Sequence, residues 1–157
     1  MLDEVHEIAE KLFEQGRNFA NKIWNAFRLP QSWEVAANRE QPESAEVAVR
    51  WMNARVQRVL EELEGQFAEF RLSEALMNLY RLVWDDFCSW YLELVKPPYG
   101  EPIDAQTLAE TKAIFGDLLK MLHPFMPFQT EELWHWMEKR EGPQDALCIA
   151  AWPEREA

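Results

Sequence analysis

The chain has 157 residues, close to half of them apolar, which suffices for one sizeable core, and its formal net charge of −12 excludes a protein that grips phosphates along an extended surface. No apolar run approaches the roughly 18 residues of a membrane span, and the first fifteen residues are acidic rather than basic and apolar, which argues against a membrane or secreted protein. Two cysteines, Cys88 and Cys148, stand far apart without metal-ligand spacing and fit a reducing cytoplasm.

In chain order, Val5, Ile8, Leu12, Phe19, Ile23 and Phe27 fall on one helical stripe between Leu2 and Arg28, with Gly16 at its middle, and predict a first helix. A connection with Pro30, Ser32, Asn38 and Pro42 follows. The second helix begins at Pro42 or Ser44, carries Ala48, Met52, Val56, Val59, Leu63 and Phe67, and stops near Glu69. Ser73 is the expected N-cap of the third helix, whose stripe is Leu76, Leu79, Tyr80, Val83, Phe87, Trp90 and Leu94, ended by Pro97 and Pro98. Asp104 caps a fourth helix through Leu108, Ile114, Phe115, Leu118 and Leu122, which ends before Pro124. A shorter fifth runs from Thr130 to Lys139. The LCIAAWP stretch lacks a helical period and reads as an extended tail anchored by Trp152. These elements predict an all-α fold, an up-down bundle of about five helices forming a single domain over residues 1–157, in a monomer.

Short connections make neighbouring helices antiparallel, so the end of helix 1, the start of helix 2, the end of helix 3 (Lys96 to Tyr99) and the start of helix 4 gather at one pole. Charge is uneven there. Residues 16–39 hold four bases (Arg17, Lys22, Arg28, Arg39) against one acid, whereas residues 1–15 hold five acids and one base. At 100° per residue, Arg17, Asn21, Asn25 and Arg28 fall within a sector of about 80° opposite the apolar stripe. Asparagine is a poor helix former, yet Asn18, Asn21 and Asn25 recur within two turns. Amides and guanidinium groups read base edges, and Arg and Lys hold phosphates. The residues alone equally allow that these asparagines bond to loop backbone and fix the bundle end. Most of the eight tryptophans, Trp51, Trp90 and Trp134 among them, read as core, whereas Trp33 follows Pro30 in a loop at the basic pole and is a candidate for stacking on a base.

Chemistry is not indicated. Five glycines build no phosphate cradle, and His6, His123 and His135 lack zinc-site spacing. Adjacent Asp85 and Asp86 point about 100° apart on a helix, which suits one solvated carboxylate and one paired with a base rather than a catalytic dyad. The HPFMPF segment (123–128) reads as extended chain delivered into helix 5 with Pro127 in its first turn. Its alternative is an interface at the far pole.

The motifs GRNFANKIWNAFR (16–28), VRWMNARV (49–56), WDDFCSWYLELVKP (84–97) and LHPFMPFQTEELW (122–134) resemble, in order and spacing, the anticodon-binding domain of the valyl-tRNA synthetase family, a class I synthetase family. The likeness covers essentially the whole chain, including the AAWP ending. Isoleucyl and leucyl enzymes share the bundle and a looser proline segment. The family's catalytic signatures HIGH and KMSKS are missing, as is anything like its editing domain, so the resemblance implies a fragment that performs no chemistry and holds no cofactor, ATP being used by a catalytic domain elsewhere on the polypeptide. It implies as partners the anticodon stem-loop of a valine tRNA and the catalytic body of the same polypeptide. In related enzymes the anticodon loop meets the C-terminal ends of the first and third helices. By that likeness Asn25 and Arg28 lead as base or phosphate contacts, followed by Arg17, Asn21 and Lys22, with Lys96 and Tyr99 from the other helix end and Trp33 matching no motif. A helical scaffold without an RNA role is the rival, and it predicts a dispensable polar ridge.

Overall fold

A computed structural model describes residues 2–140 and 142–154, with side chains placed from residue 10 onward. Helix α1 (Leu2–Gln31) runs past Arg28 and takes in Pro30 in its last turn, at the cost of the backbone bond its missing N–H would have made. Phe19, Ile23, Ala26 and Phe27 bury its second half. Leu12 and Phe13 are 63% and 79% exposed, so the expected stripe is buried only where the bundle lies beneath it. Val5 and Ile8 lie outside the described side chains.

Helix α2 (Glu43–Ala68) starts after Pro42 and ends at Glu69 as the punctuation predicts. Phe70 then adopts a left-handed φ of 57°, and the bonds Phe70 N–H to Phe67 O and Arg71 N–H to Gln66 O close a Schellman turn at a position where glycine is usual. This tight exit corrects the expected Ser73 cap. Helix α3 (Leu72–Arg81) begins two residues earlier than a Ser73 cap would place it, after Arg71, and no side chain caps it.

The helix then continues without a break through a π-helical stretch (Leu82–Tyr91) into a last turn, α4 (Leu92–Val95). The wider turns, closed by bonds to the fifth residue back, slow the rotation per residue and shift the phase of the stripe. Val83, Phe87, Tyr91 and Val95, four apart, are all buried, while Trp90 is 63% and Leu94 55% exposed. The expectation that Trp90 lies in the core is therefore corrected.

Helix α5 (Ala105–Leu122) is capped as expected, Asp104 Oδ1 accepting from the Thr107 N–H at 2.7 Å. Helix α6 (Pro127–Met137) has Pro127 in its first turn as expected and Thr130 buried within, and it stops two residues before Lys139. Phe125 and Met126 pack on the core, while Phe128 stays exposed. The tail is not one extended run but two 3-10 turns, Pro143–Asp145 and Leu147–Ile149, joined by extended residues. Leu147 and Glu131 hold it: Leu147 is buried, and the carboxylate accepts from the Leu147 and Cys148 N–H groups at 2.8 and 3.1 Å. Trp152 only lies edge-on to Phe67.

The continuous α3–α4 rod and α5 pack against α2, and α1 packs on the π stretch, α5 and α6. Five helical rods thus enclose one core centred on Phe87, Tyr91, Met52, Leu118 and Leu119. One small feature was not expected. Strands β1 (Val35–Ala36) and β2 (Ile103–Asp104) pair in parallel, Val35 opposite Ile103, and tie the α1–α2 loop to the α4–α5 loop at the pole. No helix among the described residues is long and apolar enough to cross a membrane.

Candidate nucleic-acid interface

The pole where α1, α2, α4 and α5 meet is built on rigid loops. Beyond the strand pair, Arg39 donates to the Pro102 carbonyl at 2.8 Å and pairs with Glu101 at 3.2 Å, and Gln41 donates to Glu110 at 2.6 Å. Pro97 and Pro98 stiffen the exit from α4, and the turn continues through a Glu101 N–H to Pro98 O bond with Gly100 at a φ of 78°. Tyr99, between them, is fully exposed.

Asn21, Asn25 and Arg28 all stand exposed on the face of α1 opposite Ile23 and Phe27. None of their side chains has a hydrogen-bond or ion-pair partner among the described residues. The alternative that the asparagines fix loop backbone thus lacks the bonds it requires. Arg17 shares the face but lies eleven residues before Arg28, roughly 16 Å along the axis, and pairs loosely with Glu14 at 4.0 Å.

Lys22 differs from the ridge. It is half-buried, its ammonium 5.1 Å from the centre of the Trp84 ring, and Trp84 stacks on Tyr80, which contacts Phe19. The cation is thus already part of an aromatic stack that joins α1 to the π stretch. Beside it a cleft of about 170 Å³ opens between α1 and the rod, lined by Lys22, Asn25, Leu29, Cys88 and Glu93. Burial pushes the Cys88 thiol up to about 11, with Lys22 pulling the other way.

Lys96 is exposed and paired with Glu93 at 2.8 Å, an ion pair weak enough to exchange for another anion. Trp33 is half-buried and packs against the core. The structure therefore brings Asn25, Arg28, Lys96 and Tyr99 to one pole, leaves Arg17 and Asn21 up the helix, and commits most of Lys22 and Trp33 to packing. Asp86 is bonded to Arg55 while Asp85 is exposed, the division expected of that pair. Among the described residues no cluster of His, Cys, Asp or Glu is arranged to hold a metal ion.

Arg39 and Trp90 also stand at this pole. Arg39 was legible only as part of a basic segment, and the exposure of Trp90 carries no sequence signal because it depends on the π turns.

Residues 49–157 match the family model described as the anticodon-binding domain of tRNA ligase. The valine–tRNA ligase of Christiangramia forsetii is 53% identical over 144 residues, covering 92% of this chain and 16% of the relative. That of Porphyromonas gingivalis is 55% identical over 141 residues, with 89% and 16% covered, and that of Rhizorhabdus wittichii 42% identical over 157 residues, with 96% and 17% covered. The chain spans about one sixth of the length of these relatives. With a bundle whose loops are stapled at one pole, an exposed polar ridge ending there, and a match over more than two thirds of its residues, the chain belongs to the anticodon-binding domain family of tRNA ligases.

Proposed function

We propose that this chain binds and positions the anticodon loop of a valine tRNA for a valine–tRNA ligase, and that it makes and breaks no bond itself. The observation that carries this reading is the ridge of Asn21, Asn25 and Arg28, whose amide and guanidinium groups are exposed and without a partner among the described residues, at a pole that also presents the exposed Tyr99 ring. RNA loops are read by splaying bases onto aromatic or guanidinium planes and bonding their edges, and the pole offers both kinds of group. An acidic chain suits such local reading, since other domains would hold the rest of the tRNA. Asn25 and Arg28 are the leading contacts, with Asn21, Lys96 and Tyr99 beside them. Arg17, Lys22 and Trp33 serve at the margin.

The remainder of the ligase, which would supply the ATP and valine sites in the cytoplasm, is the second partner. The far pole suits it, because Phe70, Leu72 and Phe128 are exposed there at 86%, 53% and 90%. Valine codons begin GU, so valine anticodons end in AC, and reading those two bases suffices. Titration with labelled stem-loops tests the reading. Tighter binding of valine loops than of loops altered at the middle or last anticodon base is expected, and equal binding of valine and scrambled loops would overturn it.

A further inference from the structure

The face of the α3–α4 rod turned away from α1 carries a second groove. It is open, about 650 Å³, and lies against α2, lined by Val47, Ala48, Trp51, Trp90 and Leu94, with Glu43 and Ser44 as its polar lining. Trp90, Leu94 and Val47 are 63%, 55% and 50% exposed, so this surface is apolar and uncovered among the described residues. It is not an accident of loose packing. The π stretch buries Phe87, Tyr91 and Val95 and thereby turns Trp90 and Leu94 outward, and irregular helix of this kind is frequent at functional sites.

At Ser44 and Leu94 the groove runs into a neighbouring cleft of about 310 Å³ that carries Arg39 and Lys96. An aromatic, apolar compartment thus opens onto one that carries two bases, beside an Asp104 whose carboxylate is buried and spent on capping α5. We propose that this double groove receives one unstacked nucleotide of the RNA loop, its base against the Trp90 and Trp51 indoles and its phosphate toward Lys96 and Arg39. The proposal rests on the anticodon reading above and extends it to the flank of the rod opposite α1.

Indole faces accept any base, so stacking alone does not discriminate. Discrimination comes from Glu43 in the first turn of α2. An ionised carboxylate accepts hydrogen bonds only, which favours the exocyclic amines of cytosine and adenine over the carbonyl oxygens that uracil and guanine present at the same edge position. Both bases that valine anticodons share carry such an amine. Lys96 is held by Glu93 in an exposed pair that a phosphate can replace at little cost, while Arg39 keeps its bond to the Pro102 carbonyl and turns only its Glu101 side toward the phosphate.

The test is anisotropy titration of the whole chain with a labelled valine anticodon stem-loop and with loops carrying U for the last C or G for the middle A. Trp90→Ala should weaken the valine loop roughly 5-fold to 150-fold while Trp90→Phe keeps most of the affinity, with unchanged helical content because the ring is exposed. Glu43→Gln should narrow the gap between the valine loop and one of the two altered loops. Wild-type affinity in both Trp90→Ala and Glu43→Gln, with Asn25→Ala still impaired, would overturn the groove and leave the anticodon reading intact. Failure of the wild-type chain to distinguish any of the loops would instead overturn the anticodon reading and this proposal with it. Normal RNA binding by Trp90→Ala, combined with weaker association with the rest of the ligase added in trans, would assign the groove to protein and overturn its RNA role.

Discussion

Arg55 on α2 closes on Asp86 in the π stretch, its Nε and Nη2 lying 3.0 and 2.9 Å from the same carboxylate oxygen. The arginine side chain is 34% exposed and the aspartate 17%, so the pair is screened less than a surface pair but is not dry. Asp86→Ala, which leaves a half-buried guanidinium without its partner, should lower stability by about 1 to 2 kcal/mol in urea unfolding. Asp85→Ala, next door and exposed, should change it by less than about 0.5 kcal/mol.

The phase shift of the π stretch separates two neighbouring aromatics. Phe87 is wholly buried among Phe115 and Tyr91, and its truncation to Ala should cost about 3 to 5 kcal/mol as a core cavity. Trp90→Ala, on the exposed face, should cost less than about 1 kcal/mol. Equal losses at both positions would contradict the π geometry.

Phe70 occupies a left-handed backbone conformation that costs an L-residue roughly 1 to 2 kcal/mol and exposes its ring at the α2–α3 turn. Glycine relieves that strain but gives back part of the gain through the greater entropy of the unfolded chain. Phe70→Gly should therefore raise the stability of the isolated chain by about 0.5 kcal/mol, read from the urea midpoint. If Phe70 docks on the rest of the ligase, the same variant should weaken that association.

Cys88 links pH to stability. Burial raises its thiol from 9.0 in the unfolded chain to about 11 in the folded one, and Tyr91 moves from 10.0 to about 12 for the same main reason. Below pH 9 both states keep both protons and neither group matters. Between pH 9 and about 12 the unfolded chain releases protons that the folded chain retains, so stability should fall with rising pH. Cys88→Ala should flatten the lower part of that fall and Tyr91→Phe the upper part, measured as urea midpoints from pH 8 to 11. At pH 8 a thiol reagent should label exposed Cys148 at once and Cys88, at the floor of its narrow cleft and largely buried, far more slowly.

Asn25→Ala and Arg28→Ala should each weaken the valine stem-loop by roughly 5-fold to 150-fold if they read bases, with the helical spectrum unchanged because both side chains are exposed and unpaired. An Arg28 that holds phosphate gives another pattern. Its loss should weaken all loops alike and flatten the dependence of affinity on salt.

By itself the sequence determined the helical rods, because their limits are set locally. Pro42 opens α2, Asp104 caps α5, Pro97 with Pro98 stops α4, and Pro127 starts α6, each through backbone geometry or a missing N–H that acts within one turn. The polar ridge of α1 was legible for the same reason, since regular helical rotation fixes which residues share a face. Tertiary structure alone decided what depends on distant partners. The β1–β2 pair joins residues far apart in sequence, Lys22 is drawn onto Trp84, and Trp33 is packed rather than presented. The π stretch belongs here too: the core closes around Phe87, Tyr91 and Val95 only if the helix widens, and the packing gained by those three side chains sets a rotation that no local period encodes. That rotation leaves Trp90 in solvent, where an ideal helix would have buried it.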